Sequence, residues 1–514
     1  MSADGSIAIT AATERSLLRF LTCGSVDDGK SSLIGRLLFE TGAAKDDQIE
    51  ALATDSRRYG AQGGAIDYAL LVDGLAAERE QGITIDLAYR YFATDRRAFI
   101  VADAPGHEQY TKNMATGASN SDLALLLVDA RKGLLPQTRR HSLIVSMLGV
   151  RHVIVAVNKM DLVGYSQAAF DAIAKDYRQF AKSLGFAEAT LIPVSAVAGD
   201  NIVAASANTP WYRGPTLLQH LETTSAGPRA ITGAFAMPVQ WINRPTADFR
   251  GYSGMVAAGR VSPGDEVCAA LSGQTARVAR VVTFDGDLAH AEAGQSITLT
   301  LDREIDISRG DVLAAASLPP VVATEADARL IWMSRAPLDP MRAYLAKLGA
   351  ASFSVRIARP SSVLNIETLA DAPAHDVGLN AIFRAHLGFD RPVAVAPYGQ
   401  SRDLGGFILI DRASNETVAM GLIETVARPT KAKALGGLVL TFGPPRDSFW
   451  RSLSASTLLV ISFALLSPLL TGRASDWQAL LGLWLLSLWL ERLGSRLRVS
   501  RSEALGEGFD GDGI

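Results

Sequence analysis

The chain has 514 residues, 48% of them hydrophobic, a formal net charge of −3 and only two cysteines, Cys23 and Cys268, with a pI near 6.2 and a mean hydropathy of +0.16. That length excludes a single core and points to about three or four domains; the charge balance excludes an overall electrostatic footprint for nucleic acid, and two cysteines exclude a disulfide framework and fit a reducing compartment. Met1 to Thr10 lacks the basic segment and apolar core of a secretory signal, so a cytosolic start is expected, while the high hydropathy requires some part of the chain to be unusually apolar.

The apolar run Leu17, Leu18, Phe20, Leu21 leads into Gly24-Ser25-Val26-Asp27-Asp28-Gly29-Lys30-Ser31, followed by Ser32-Leu33-Ile34-Gly35-Arg36-Leu37-Leu38. The order strand, glycine loop, helix is what a phosphate cradle requires: glycines let backbone N–H groups converge on phosphate oxygens, and the helix N-terminus adds partial positive charge. Lys30 would reach the β- and γ-phosphates and the Ser31 hydroxyl would ligate Mg²⁺. Cys23, at the strand end, reads as a small buried side chain. The helix should end near Gly42, and residues 43–78 are polar with little periodicity.

Glu78-Arg79-Glu80-Gln81-Gly82-Ile83-Thr84-Ile85-Asp86 follows. In a nucleotide switch, a threonine in a mobile loop closes on the γ-phosphate-bound metal, and Thr84 is the candidate. The other reading makes it a β-branched residue opening a strand from Ile83 to Tyr91. Next, the strand Ala98–Ala102 runs into Asp103-Ala104-Pro105-Gly106-His107. An Asp at a strand end can hold Mg²⁺ through water while the Gly106 N–H contacts the γ-phosphate, and His107 would project beside the attacking water.

The strand Leu123–Val128 and a helix from Pro136 to Leu148 precede Val153–Val157, which ends in Asn158-Lys159-Met160-Asp161. The Asp161 carboxylate can accept from guanine N1–H and the N2 amine, which adenine does not offer; an unpaired carboxylate is what would reject ATP. Leu191-Ile192-Pro193-Val194 then leads to Ser195 and Ala196, a small turn suited to backing the base and donating an N–H to O6. Five such stretches in order, each tied to a strand, imply a doubly wound α/β GTPase domain over residues 1–222.

Thr223–Arg229 reads as a linker, after which short alternating strands and turns such as Ser262-Pro263-Gly264-Asp265 predict an antiparallel barrel over 231–316 and a second over 320–428. His290, His375 and His386 are isolated and read as surface or packed residues. Residues 429–447 read as a Lys/Gly/Pro linker, and 448–498 as an apolar two-helix hairpin. Its segments Leu453–Leu470 and Trp477–Leu490 carry tryptophans near their ends, with Arg446 and Arg451 before and Arg492, Arg496, Arg498 and Arg501 after. This predicts a hairpin in the membrane with both ends cytoplasmic, or a helix pair packed on a barrel or second subunit.

A GTPase domain plus two barrels resembles the translational GTPases typified by elongation factor Tu, and more closely the large, GTP-hydrolysing subunits of the heterodimeric bacterial sulfate adenylyltransferases. Besides the phosphate loop, the resemblance rests on residues 67–86, on His107-Glu108-Gln109-Tyr110-Thr111 with Asn113–Ser119, and on barrel stretches: Asn243-Arg244-Pro245, Asp248–Gly251, Phe284–Asp287 and Glu304–Asp311. Asp28 is itself a discriminator, since elongation factors usually carry His there. The resemblance implies GTP and Mg²⁺ as ligands. Lys30, Ser31, Thr84 and Asp103 would act at the phosphates and metal, His107 at the water, and Asn158, Lys159 and Asp161 at the guanine. It also implies a smaller catalytic, ATP-binding partner that makes adenosine 5′-phosphosulfate and pyrophosphate, with no nucleic acid as partner. Some members carry a fused adenylylsulfate kinase, which would need a second phosphate loop; none follows residue 428, so kinase activity is not expected. The tail is similar to a small family of two-helix membrane segments. The rivals are a translation factor and a membrane-tethered regulatory GTPase.

Overall fold

The computed structural model describes residues 16–44, 48–50, 52, 54, 56, 66–72, 86–225, 233–246, 249–374, 376–426, 438–443 and 496–501. Thr84, His375 and both apolar segments of the expected hairpin lie outside them.

The first domain is built on a six-stranded sheet of β1 (Ser16–Gly24), β2 (Ala88–Ala93), β3 (Arg97–Asp103), β4 (Leu123–Asp129), β5 (His152–Asn158) and β6 (Glu188–Pro193). Their spatial order is 2-3-1-4-5-6, parallel except for the β2 edge. β4 is buried at every position, as a strand covered on both faces must be. The helices α1 (Lys30–Glu40), α2 (Thr111–Ser119), α3 (Pro136–Met147), α4 (Gln167–Ala181) and α5 (Leu217–Thr223) follow these strands. Leucine, isoleucine and valine from alternate positions fill two cores on opposite faces of the sheet, Leu126, Val155 and Ile144 on one, Leu125, Ile154 and Leu33 on the other. β1 is flanked by β3 on one side and β4 on the other, which sets the loop after β1 at the switch point where such sheets bind ligands.

The strand expected from Ile83 is described only from Ala88: Asp86 and Leu87 lie outside it, with the Asp86 carboxylate accepting from the Leu87 N–H at 2.7 Å. An aspartate capping its own chain this way favours a turn over a ladder.

Beyond this domain the chain is antiparallel. Ala236–Pro238, Val312–Ala315, Glu266–Ala269, Thr275–Thr283, Ser296–Leu301, Gly251–Met255 and Trp241–Asn243 lie side by side in that order around their own core of Met237, Tyr252, Val281 and Leu299. In the next sheet, Val321–Trp332, Thr417–Val426, Gly406–Ile410, Ala343–Leu348, Ala351–Ile357 and Ile382–Val395 neighbour one another, and the last pairs back to the first, closing a barrel. Ile331, Met333, Ile382 and Met420 of that barrel join the core that contains α2 and α3, so the first domain and this barrel are packed continuously.

Residues 429–514 form a separate compact unit. Within it Leu438–Gly443 pairs antiparallel with Arg496–Arg501. This corrects the linker expected over 429–447 and the helical reading of 496–498: Leu-Val-Leu-Thr-Phe and Arg-Leu-Arg-Val-Ser both carry the β-branched and alternating pattern of strands. Among the described residues no helix is long and apolar enough to cross a membrane.

Candidate functional site

The loop between β1 and α1 is drawn into a tight bowl by its own polar groups. The Ser25 N–H donates to Asp28 Oδ2 at 2.6 Å, and Asp27 and Gly29 adopt left-handed backbone, φ +65° and +91°. Asp tolerates that region and Gly enters it freely. A Cβ at Gly29 would come 2.5 Å from Asn158 Nδ2, so the close approach of the Asn158 loop requires glycine as well. Val26 is half-buried and Ser31 and Ser32 occupy the first turn of α1, also half-buried. Lys30 is buried and its ammonium donates to the Ser25 carbonyl at 2.8 Å and to the Gly24 carbonyl at 3.4 Å. Burial pulls its pKa below the ordinary lysine value, against Asp103 and Asp28, which hold the charge.

Asp103 ends β3 in register with Thr22, whose hydroxyl donates to Asp103 Oδ1 at 3.1 Å. Ala104 and Pro105 are buried, and Gly106 lies against the phosphate loop: a Cβ there would meet Lys30 Nζ at 2.5 Å and the Gly24 carbonyl at 2.8 Å. His107 caps the single 3₁₀ turn Glu108–Tyr110, its Nδ1 accepting from the Gln109 N–H at 3.4 Å, which leaves the proton of a neutral ring on Nε2. The second barrel fixes the same turn. Asn380 Nδ2 donates to the Glu108 carbonyl at 2.8 Å, and Arg335 donates to Gln109 Oε1 at 2.6 Å.

Asn158 joins three loops. Its Nδ2 donates to the Asp28 carbonyl at 2.8 Å and its Oδ1 accepts from the Ala196 N–H at 3.0 Å. Lys159, left-handed at φ +64°, donates to the Asp27 carbonyl. Met160 is fully buried and anchors the turn, and Asp161 Oδ1 accepts from the Ser195 hydroxyl at 2.6 Å. That hydroxyl in turn accepts from the Ala198 N–H at 3.1 Å, so the carboxylate is aimed by a fixed donor.

The structure therefore gathers Gly24 to Ser32, Asp103 to His107, Asn158 to Asp161, and Ser195 with Ala196 at one end of the sheet; Thr84 lies outside the described residues. Asp129, not singled out from sequence, ends β4 inside this cluster and pairs with Lys159 at 3.1 Å and Arg131 at 2.6 Å. Burial works to raise its pKa, but the hydrogen bonds from Arg131 and Lys159 prevail and hold it well below the ordinary carboxylate range. Its signal was available: an acid closing an all-apolar strand, as Asp103 does. Asp28 is the opposite case. Burial pushes its carboxyl up to about 6, only partly offset by Lys30 and the Ser25 N–H, and its Oδ1 has no hydrogen-bond partner among the described residues.

A cradle of glycines, a buried lysine at a helix start and an aspartate held in a base-facing turn can bind a guanine nucleotide. Residues 15–226 match the model of the elongation factor Tu GTP binding domain, and residues 325–424 that of the GTP-eEF1A C-terminal domain-like family. Sulfate adenylyltransferase subunit 1 of Methylorubrum populi is 52% identical over 418 residues, 81% of this chain and 89% of that protein. The chain belongs to the sulfate adenylyltransferase subunit 1 family. The Chromobacterium violaceum subunit 1 is 51% identical over 82% of this chain and 88% of its own length. The bifunctional enzyme CysN/CysC of Xylella fastidiosa is 54% identical over 80% of this chain but only 66% of that protein. With the family, GTP binding by the first domain is established.

Proposed function

We propose that this chain is the GTP-hydrolysing subunit of a sulfate adenylyltransferase and works with a smaller ATP-binding subunit that forms adenosine 5′-phosphosulfate and pyrophosphate from ATP and sulfate. The observation that carries the reading is the double hydrogen bond of Asn158, which ties the base-facing turn and the Ser195–Ala196 turn to the phosphate loop, so that a guanine nucleotide would be met by one connected unit. Adenylylation of sulfate is uphill, and GTP hydrolysis supplies the drive by biasing a conformational equilibrium.

In this reading Lys30 trades its bonds to the Ser25 and Gly24 carbonyls for phosphate oxygens, and Gly106 offers its N–H to the γ-phosphate. His107 orients water from Nε2–H, and Asp161 accepts from the guanine edge while Lys159 covers it. The Ser31 hydroxyl and the Asp103 carboxylate, beside a cradle closed by Gly24 and Gly106, fit Mg²⁺, which would neutralise phosphate charge when bound; Thr84, outside the described residues, is assigned to the same metal on its sequence context alone. The kinase step of bifunctional relatives is no part of this proposal. The apolar segments Leu453–Leu470 and Trp477–Leu490 we assign to a membrane hairpin that tethers the enzyme in the cytoplasm, on the strength of 18 uncharged residues in the first and the flanking arginines.

The test mixes the full chain with its candidate small subunit and follows sulfate-dependent pyrophosphate release. GTP should stimulate it and a non-hydrolysable analogue should not. A chain that binds GTP but leaves pyrophosphate release unchanged overturns the reading in favour of a regulatory GTPase.

A further inference from the structure

The stretches singled out in the sequence, Asn243–Pro245, Asp248–Gly251, Phe284–Asp287 and Glu304–Asp311, play no part in the nucleotide site, yet Phe249, Arg250 and Glu304 from two of them meet at one edge of the first antiparallel domain. There, with Tyr252, Arg280, Thr300 and Arg303, they line a cleft of about 350 Å³. Two polar atoms of that wall are buried without a hydrogen-bond partner among the described residues, the Tyr252 hydroxyl and Thr300 Oγ1. Tyr252 itself is 1% exposed. A buried hydroxyl left unpaired costs about 1–3 kcal/mol, and a fold keeps such a cost where a ligand recovers it.

The surrounding charge says which ligand. Arg250 crosses the Tyr252 ring, 5.7 Å from guanidinium to centroid, and pairs with Glu304 at 2.9 Å. Arg280 is clamped by both oxygens of Asp287, at 2.7 and 2.9 Å. Arg303 donates to the Thr275 carbonyl and hydroxyl and pairs with no carboxylate among the described residues. Asp302 accepts the Arg277 N–H at 2.8 Å, turning one carboxylate oxygen to the backbone. Two orphan hydroxyls and an uncompensated guanidinium around one cleft are donors in want of an acceptor, and guanidinium forks match the paired oxygens of an oxyanion.

We propose that this edge is an oxyanion-binding site, filled either by free sulfate or by a carboxylate presented by the small subunit, with the Arg250 and Arg303 guanidiniums as donors and the Tyr252 and Thr300 hydroxyls, shielded from solvent while Arg250 lies over the Tyr252 ring, joining them once Arg250 is drawn from Glu304. Glu304, 64% exposed on its side chain, is the internal carboxylate the incoming group displaces from Arg250. The carboxylate source rests on the functional reading above; the sulfate source does not.

The full-length chain is titrated by calorimetry with sodium sulfate at constant ionic strength, and separately with the small subunit in sulfate-free buffer. Tyr252→Phe removes only an unpaired hydroxyl, so the free chain should have a thermal midpoint at or above the wild type's and keep its GTP affinity, while oxyanion binding weakens about tenfold. Glu304→Gln should act the other way and tighten binding several-fold, because the competing charge is gone. Loss confined to the sulfate titration identifies free sulfate, and loss confined to assembly identifies the partner's carboxylate. Sulfate binding and assembly that are both unmoved by Tyr252→Phe and by Glu304→Gln, in chains at least as stable as the wild type, overturn the proposal. Failure of GTP to stimulate pyrophosphate release would overturn the functional reading alone and leave the sulfate titration to decide this one.

Discussion

Asp28 shows how one side chain can be set against stability for the sake of a loop. Its carboxyl, up at about 6 against a usual value of 3.8, binds its proton more tightly folded than unfolded. The folded state thus loses ground as pH rises from about 4 through about 6, and the full penalty stands above that range. Asp28→Asn keeps an oxygen for the Ser25 N–H and removes the buried charge. The variant should gain roughly 1–3 kcal/mol at pH 7, and that gain should shrink toward zero as pH falls from about 6 to about 4. Urea unfolding of both chains at a series of pH values decides it; parallel profiles would show that the carboxyl ionises at no cost. Asp161 is held by Ser195 so that it can only accept. Asp161→Asn puts a donor there and should move preference from GTP toward xanthosine triphosphate, read by competition; an unchanged order of affinities would remove Asp161 from base selection. His107 touches no other group of the nucleotide site through its Nε2 in any hydrogen bond the structure contains among the described residues. His107→Ala should therefore keep GTP affinity while single-turnover hydrolysis falls at least about 100-fold, the range for losing the group that orients an attacking water. Near-normal hydrolysis would give the water to another residue.

The turn Glu108–Tyr110 is the element where the nucleotide site meets the second barrel. Asn380, left-handed at φ +63° and 4% exposed, spends its Nδ2 on the Glu108 carbonyl, one residue beyond His107. Asn380→Ala removes one of the donors on that carbonyl, which keeps the Thr111 hydroxyl at 2.8 Å; the loss of about 0.5–1.5 kcal/mol loosens the tie between the second barrel and the turn that carries His107. GTP hydrolysis should drop several-fold with GTP affinity little changed, a split that distinguishes positioning from general loosening; equal losses in both would mean the first domain is simply destabilised. None of this contact was legible in the sequence, because Asn380 lies 272 residues from Glu108 and its side chain has no motif to belong to. What was legible had local causes. Gly29 and Gly106 stand where a Cβ would strike a neighbour, and Asp103 and Asn158 stand where a parallel strand ends, so spacing alone announced them. Asp129 obeys the same rule and was missed only because its strand is followed by no glycine signature. The Leu438–Gly443 strand was hidden for a different reason: its partner, Arg496–Arg501, comes more than fifty residues later, and a linker composition around it drowned a six-residue pattern.

At the scale of the whole molecule, the chain is one large unit to Arg428 and a second from Pro429. The first unit has hydrophobic cores of its own, the last buried side chain in them being Ile423. The matched family models end at residue 424. A chain stopped after Arg428 should therefore keep its cooperative unfolding, its thermal midpoint within a few degrees, and its affinity for GTP. The position of the cut matters. Ending at residue 445 would retain Leu438–Gly443 and delete Arg496–Arg501, leaving an unpaired apolar strand edge that invites aggregation, whereas ending at 428 removes both partners together. The two truncations thus make opposite predictions for solubility although they differ by only 17 residues. Thermal unfolding with and without GTP, and sedimentation of each chain beside the full-length protein, read out both. If the membrane hairpin is real, carbonate washing leaves the full chain in the membrane pellet and the 428 version in solution. If the 428 version unfolds ten or more degrees early, the second unit is part of the fold of the first and the boundary at Arg428 is wrong.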